Sequence, residues 1–254
     1  MVAPIPIGVV MRRAVLAPGL LVLLACAGGS TGTAVVAEPK TRALPDDVHW
    51  VRNSAEHEAL FHQTFHLAGE ELKRRAGATR PGTWATVIDA DEAAIDNSEF
   101  ERDLALSPGE YDEESWNDWV RERKATALPG AVEYARLARS LGGRVIIVTN
   151  RAAEVCGATR ENLAAVGIVA DLVLCKPEGE SDKNPRFERI ARGTASPDLP
   201  PLEVLVWVGD NIRDFPRLSQ ELRFAPDSAF DAFGRRFFIL PNPMYGSWEE
   251  NPPE

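Results

Sequence analysis

Apolar residues along the chain follow two spacings, one typical of helices and one typical of buried strands. From Ser54 to Arg75, apolar side chains recur every three or four residues, which predicts an amphipathic helix. The same spacing predicts helices at 129–140, 159–166 and 185–192. Short continuous apolar runs predict five buried strands, at 84–88, 144–148, 171–174, 204–208 and 237–240. Because helices and strands alternate, we expect an α/β fold with a parallel sheet covered on both faces.

One long segment, 98–127, interrupts this alternation. It lies between the first predicted strand and the helix at 129–140, and it is acidic and rich in tryptophan. Because it lacks the two-residue alternation of a half-buried strand, we interpret it as a helical insertion. Its acidic run at 110–114 is typical of a solvent-exposed face.

The N-terminal segment has the pattern of an export signal. An apolar run that follows two arginines ends at Ala25, is too short to span a bilayer, and predicts a signal peptide over residues 1–25. Its last four residues are Leu-Leu-Ala-Cys, which resembles a bacterial lipobox, so Cys26 is the expected lipidation site. Residues 26–45 begin with small, glycine- and threonine-rich sequence and predict a flexible tether. We expect a lipid-anchored protein of the bacterial cell envelope, at the outer membrane, in the periplasm or at the cell surface; the alternative is an ordinary signal peptide with a chance cysteine.

Composition narrows the possible partners. The 254 residues carry a net charge of −10, which argues against a nucleic-acid polymer as partner. A small phosphate ester remains compatible, because a metal ion can neutralise its charge locally. The other two cysteines, Cys156 and Cys175, can pair in an oxidising compartment, but their spacing does not show whether they do.

Polar residues follow the ends of three predicted strands. Asp89, Thr149 and Asp210 each lie just past the end of an apolar run, and the carboxyl ends of parallel strands meet at one edge of a sheet. In the sequence Asp-Ala-Asp at 89–91, Asp89 can attack phosphorus as a nucleophile. Asp91 can then protonate the leaving oxygen and later deprotonate water. An acidic turn after a strand is the simpler explanation of this pattern taken alone.

Further residues complete a site for phosphoryl transfer. The carboxylates of Asp89 and Asp210 and the backbone carbonyl of Asp91 are suitable ligands for one Mg²⁺ ion. Thr149 can donate a hydrogen bond to a phosphoryl oxygen. Lys183 can neutralise charge that develops on the phosphoryl group, although Lys176 is a rival for that role. Asp214, outside the ligand set, can anchor the lysine or a metal-bound water.

In this order the residues resemble the four motifs of the haloacid dehalogenase (HAD) superfamily, at 89–93, Thr149, Lys183 and 209–214. The second aspartate is typical of the phosphatases of that superfamily. Longer stretches resemble the lipoprotein e family of 5′-nucleotidases and class C acid phosphatases: 50–56, 89–98, 116–119 with 128–133, and 240–249.

The resemblance implies a HAD-like, Rossmannoid three-layer sandwich with a central parallel sheet and a small helical cap. The cap would comprise 46–83 and 92–128, and the catalytic core 84–91 and 129–248. It also implies that two aromatic residues, Phe100 and Tyr245 by position, enclose a nucleobase or another planar leaving group. Asn150 and Arg151, directly after Thr149, are then expected to bind substrate.

The function predicted from these features is a secreted, lipid-anchored, Mg²⁺-dependent phosphomonoesterase. It would hydrolyse 5′-nucleotides and related phosphate monoesters through an aspartyl-phosphate, as a monomer or a homodimer. The alternatives are a broad-specificity class C acid phosphatase and a non-enzymatic surface lipoprotein that binds, for example, haem. The pair His62 and His66, one helical turn apart, has no third ligand nearby in sequence and is interpreted as surface residues.

Overall fold

The computed structural model describes residues 43–107 and 110–253. Its helices are α1 (Asp46–Asn53), α2 (Ala55–Ala76), α3 (Ser98–Leu106), α4 (Glu113–Glu122), α5 (Ala131–Ser140), α6 (Cys156–Ala165) and α7 (Asn184–Arg192). Its strands are β1 (Trp84–Ile88), β2 (Ile95–Asp96), β3 (Thr126–Ala127), β4 (Arg144–Ala152), β5 (Leu172–Lys176), β6 (Glu203–Gly209) and β7 (Phe237–Ile239). The predicted signal peptide and Cys26 lie outside the described residues. Among the helices that are described, none is long and apolar enough to cross a membrane.

Five strands form one parallel sheet in the order β5-β4-β1-β6-β7. The chain builds outward from β1 to one side with β4 and β5, and then returns to add β6 and β7 on the other side. At the carboxyl end of β1, Ile88 pairs with Ile147 of β4 and Val208 of β6. The strand order therefore reverses at β1, which is where ligands bind in open α/β sheets.

Both faces of the sheet are covered, because alternate residues of each strand join different apolar clusters. On one face, α2, α5 and α6 contribute Phe61, Phe65, Ala135 and Leu163, among others. On the other face, α7 and the segments after β6 contribute Phe187, Ile190 and Phe215. The expected three-layer α/β architecture is confirmed, and the continuous apolar strands are explained by burial on both faces.

Helix α2 begins where the sequence predicts it, because the side chain of Ser54 accepts a hydrogen bond from the backbone N–H of His57 and caps the helix. From the sequence, this helix was expected to belong to the cap. Helix α1 does pack beside α3 of the insertion, but α2 packs against α5 and β6. The apolar stripe of α2 that includes Phe61 and Leu72 thus belongs to the layer that covers the sheet.

The insertion between β1 and α5 contains the two helices α3 and α4, as its composition suggested. Its base is a two-stranded antiparallel pair in which Ile95 of β2 faces Ala127 of β3. These strands have two residues each, which is too short for a periodic pattern to be visible in the sequence. They bring the beginning and the end of the insertion together beside β1.

A disulfide joins Cys156, the first residue of α6, to Cys175 in β5. The sequence left this pairing open, because a separation of 19 residues does not determine the distance between two cysteines. The bond ties the helix to the edge strand of the sheet.

Candidate active site

Asp89 lies at the first position after β1, and its backbone N–H donates to the carbonyl of Val208 in the neighbouring strand. The residue is 8% exposed. The chain then turns back sharply, with Glu92 in the left-handed region at φ 50° and the N–H groups of Ala94 and Ile95 bonded to the carbonyl of Ala90. This turn keeps the second aspartate, Asp91, at the same edge of the sheet.

Lys183 occupies the centre of the site. It is the N-cap residue of α7, is 4% exposed, and donates from Nζ to Asp89 Oδ1 at 2.7 Å and to Asp214 Oδ1 at 2.6 Å. Its rival Lys176 lies at the end of β5, with Nζ 3.5 Å from a carboxylate oxygen of Glu113. The structure thus brings Lys183, and not Lys176, to the predicted nucleophile.

Three carboxylates converge around this lysine. Oxygens of Asp89, Asp210 and Asp214 all lie within 4.8 Å of one another. Asp210 Oδ2 accepts from Asn242 Nδ2 at 2.9 Å, and Asp214 Oδ2 accepts from the backbone N–H of Asn211 at 2.8 Å. Asp214 therefore uses both oxygens to hold protein groups, as expected of a residue that anchors Lys183.

Gly209 is required for this arrangement. A Cβ at this position would lie 2.3 Å from Asp214 Oδ2, well inside van der Waals contact. Only glycine lets the end of β6 pass so close to the carboxylate that holds Lys183.

The electrostatics of the cluster suit a divalent cation. Burial raises the pKa of Asp89 to about 7, Asp214 and Asp91 add to the effect, and Lys183 opposes it. Burial, together with Asp214 and Asp89, also raises the pKa of Asp210 well above its usual value. For Lys183 the effect of burial on the pKa is outweighed by Asp214 and Asp89, which raise it and keep the ammonium charged.

One lysine cannot balance three carboxylates, and hard oxygen donors are the ligands that Mg²⁺ prefers. Among the residues the structure describes, one oxygen of Asp89 and one of Asp210 receive no hydrogen bond. One carboxylate oxygen of Asp89 and one of Asp210 are therefore free to hold a divalent metal ion, while Asp214 supports the site by holding Lys183. The backbone carbonyl of Asp91 stays the predicted third ligand.

Asp91 is held by a network of donors. Its Oδ1 accepts from Arg151 Nε at 2.8 Å and from Asn97 Nδ2 at 2.9 Å, and its Oδ2 accepts from Thr149 Oγ1 at 3.3 Å. Arg151 is only 1% exposed, and its Nη2 also donates to Asn97 Oδ1. Trp119 Nε1 donates to the same amide oxygen. Arg151, expected to bind substrate, therefore also orients the proposed proton donor.

Two residues of this region were missed in the sequence. Asn97 donates to Asp91 and accepts from Arg151, and so joins the two side chains. In the sequence, its position within the stretch 89–98, which carries the family resemblance, was the one indication of a role in the site. Arg186, fully buried, donates from Nη1 to the carbonyl of Thr149 and from Nη2 to Asn150 Oδ1, both at 2.6 Å. In sequence Arg186 is an ordinary charged helix residue and gives no signal.

A cleft of about 640 Å³ opens from Asp91 between the insertion and the C-terminal segment. Tyr245 lines it as expected, together with Asn150 and Arg151. Phe100 does not line it: the residue is 9% exposed, and the centroid of its ring lies 5.1 Å from that of Trp116. The aromatic rings that do face the cleft beside Tyr245 are Tyr111 and Trp116.

The histidine pair plays no part in this region. His62 and His66 are both exposed on α2, and no group of three potential metal ligands in the described part of the chain includes either of them.

Comparison with known proteins identifies the family. The family described as HAD superfamily, subfamily IIIB (acid phosphatase) matches residues 30–248. Two solved structures of the class C acid phosphatase from Bacillus anthracis, one with tungstate bound, resemble the chain with a TM-score of 0.71 and 26% sequence identity. Each comparison covers 80% of this chain and 85% of the Bacillus protein. The chain therefore belongs to subfamily IIIB of the HAD superfamily, the acid phosphatases, and is a phosphatase that acts on small phosphate monoesters.

Proposed function

We propose that this phosphatase is a secreted, lipid-anchored, Mg²⁺-dependent enzyme that hydrolyses 5′-nucleotides and related monoesters through an aspartyl-phosphate. The observation that carries the chemistry is the buried group in which Lys183 bridges Asp89 and Asp214 beside Asp210. Its donor set matches the needs of phosphoryl transfer, which are a nucleophile, charge neutralisation and a separate proton donor.

In the proposed reaction, a carboxylate oxygen of Asp89 attacks phosphorus and the bond to the leaving oxygen breaks. Asp91 gives its proton to that leaving oxygen, and then takes a proton from the water that attacks the aspartyl-phosphate. Because Oδ1 of Asp91 already accepts from Arg151 and Asn97, we assign the proton transfers to Oδ2. When bound, the metal ion would reduce the repulsion between the phosphate and Asp89.

The nucleophile is tested with Asp89→Asn, a substitution of nearly equal size. We expect it to lower Mg²⁺-dependent phosphate release by at least about 10³-fold, because a nucleophile cannot be replaced by its neighbours. Intact-mass measurement of acid-quenched wild-type protein should show a phosphorylated species that the variant lacks. Lys176→Ala is the matched control, since that lysine lies outside the carboxylate cluster; loss of activity in the control alone would contradict the assignment.

The nucleotide preference is supported by the cleft beside Asp91. Three aromatic residues line it, Tyr111, Trp116 and Tyr245. Aromatic faces can stack on any of the nucleobases. The test compares kcat/KM for a 5′-nucleotide with that for a simple alkyl phosphate. A preference for the nucleotide is expected, whereas equal values would favour the broad-specificity alternative.

Export and lipidation are supported by two separate features. The disulfide between Cys156 and Cys175 is typical of an oxidising compartment, and the N-terminal segment ends in the lipobox-like sequence at Cys26. We expect Cys26→Ser to abolish incorporation of labelled fatty acid and to release the protein from the membrane fraction. A wild-type mature protein without lipid would contradict the proposal.

A further inference from the structure

The cleft beside Asp91 carries negative charge that its own residues do not balance. Glu101 of α3 and Glu249 both line it, and Asp47 of α1 lies close to Glu101. Among the described residues, none of these three carboxylates forms an ion pair with a lysine or arginine. The arginine that lines the cleft, Arg151, is already paired with Asp91.

The environment of Glu101 shows how poorly this charge is compensated. Burial raises the pKa of Glu101 to about 7, and the neighbouring Asp47 and Glu249 add to the effect. Uncompensated carboxylates beside a phosphate site repel a substrate that is purely anionic. The part of the substrate that occupies the cleft is therefore the place to look for a compensating positive charge.

The walls of the cleft are suited to a ligand with a positively charged end. Tyr111, Trp116 and Tyr245 line the same space as the two glutamates, and aromatic faces attract ammonium groups. Two of the residues that line the cleft, Arg151 and Tyr245, each have a buried polar atom, Nη1 and Oη, with no hydrogen-bond partner in the described residues.

We propose that this cleft selects phosphate monoesters whose leaving alcohol carries an ammonium or another cationic group, with Glu101 and Glu249 as the specificity-determining residues. The proposal rests on the phosphatase chemistry assigned to Asp89 and adds a charge requirement for the leaving group. A neutral nucleobase would use the aromatic walls alone, whereas a cationic group would use the walls and the carboxylates together.

The test uses two substrates of the same shape and different charge. Choline phosphate and 3,3-dimethylbutyl phosphate differ in one atom, a quaternary nitrogen in place of a carbon. At pH 8, where Glu101 is ionised, we expect kcat/KM to be at least about tenfold higher for choline phosphate. In the double variant Glu101→Gln/Glu249→Gln, the ratio of the two values should fall towards one.

The outcomes are separable. Equal kcat/KM values in the wild type would overturn the charge requirement and leave the phosphatase function intact, and this comparison decides the proposal even if the double variant does not fold. A ratio that persists in a folded double variant would overturn the assignment to Glu101 and Glu249. Hydrolysis of a 5′-nucleotide but of neither ester would also overturn the charge requirement, whereas absence of phosphate release from all three substrates would overturn the proposed function itself. Glu188→Gln, an exposed position on α7 outside the cleft, is the control and should leave the ratio unchanged.

Discussion

At the scale of single residues, the two aspartates after β1 have different surroundings that suit different roles. Asp89 is bonded to the ammonium of Lys183, while Asp91 is bonded to Arg151, Asn97 and Thr149. In the first arrangement Lys183 holds Oδ1 of Asp89 and leaves Oδ2 without a hydrogen bond from the described residues, so that this oxygen can act as a nucleophile next to a positive charge. The second orients the carboxyl group through two short contacts on Oδ1, and leaves Oδ2, with one longer contact from Thr149, for proton exchange.

Removing the proton donor should affect substrates unequally. We expect Asp91→Asn to lower kcat/KM for an alkyl phosphate by about 10²–10⁴-fold, because the leaving alkoxide then departs without a proton. The loss of kcat/KM for p-nitrophenyl phosphate should be much smaller, since nitrophenolate is a good leaving group. With that substrate a burst of nitrophenol and a phosphorylated protein should accumulate in rapid-quench experiments, because Asp91 also activates the attacking water. Equal losses for both esters would argue against a proton-transfer role.

Gly209 allows a second test at this scale. Gly209→Ala places a methyl group 2.3 Å from Asp214 Oδ2, so Asp214 must move and Lys183 loses its anchor. We expect a loss of activity of about tenfold or more, since a shift of about 1 Å in a catalytic group can have an effect of that order. Gly157→Ala is the control, because a Cβ there meets nothing within 4 Å. Unchanged turnover in Gly209→Ala, with the same fold by circular dichroism, would contradict the role given to Asp214.

At the scale of elements, the ends of β4 and α7 are fixed to each other by buried polar contacts. Arg186 of α7 bonds the carbonyl of Thr149 and the side chain of Asn150, and Asn150 Nδ2 donates to the carbonyl of Ser181. The loop that ends at Lys183 is therefore positioned from the same strand that carries Thr149. This explains how residues from two separate elements meet at one phosphate site.

The disulfide is a second link between elements, and its contribution to stability can be measured. It closes a segment of 19 residues between α6 and β5, for which the loss of chain entropy in the unfolded state predicts about 3 kcal/mol. We expect Cys156→Ser/Cys175→Ser to lower the free energy of unfolding by about that amount in urea titrations. Dithiothreitol should lower the stability of the wild type and leave the double variant unaffected; equal sensitivity would show that the bond does not form.

At the scale of the whole molecule, the buried carboxylates make the stability of the fold depend on pH. The chain has a net charge of −10, and Asp89, Asp210 and Glu101 are acids whose pKa is raised in the folded state. Groups of this kind bind protons more tightly when folded, so the stability they contribute is present at low pH and is lost as pH rises through the folded pKa.

The stability of the metal-free protein should therefore fall as the pH rises. In EDTA, the free energy of unfolding should increase as the pH is lowered from about 8 to about 5, because Asp89 and Glu101 titrate near 7 in the folded protein and near 4 when unfolded. Mg²⁺ binds the ionised carboxylates, so it should raise the stability most at pH 8 and flatten the dependence.

Asp210→Asn provides the control, since it removes both a charge from the cluster and a proposed metal ligand. In that variant the stabilisation by Mg²⁺ at pH 8 should be largely lost. A metal-free wild-type protein whose stability rises from pH 5 to pH 8 would contradict the raised pKa values.

The order of the elements and the candidate chemistry at the strand ends follow from local patterns in the sequence. The five strands of the large sheet were predicted because each is a continuous apolar run, and such runs depend on neighbours in the chain. Asp89, Asp91 and Asp210 were found for the same reason, since each lies next to a run that ends. The strands β2 and β3 were missed because two residues are too few to show the alternation of apolar and polar residues that indicates a strand.

Everything that depends on distances between separate segments is set by the way the chain packs. It placed Lys183, and not Lys176, beside Asp89, and it paired Arg151 with Asp91. It also buried Phe100 behind Trp116, so that the latter faces the cleft. Hydrogen bonds and ring contacts reach only a few ångströms, and which side chains come that close is set by how the helices pack on the sheet, which local patterns do not contain.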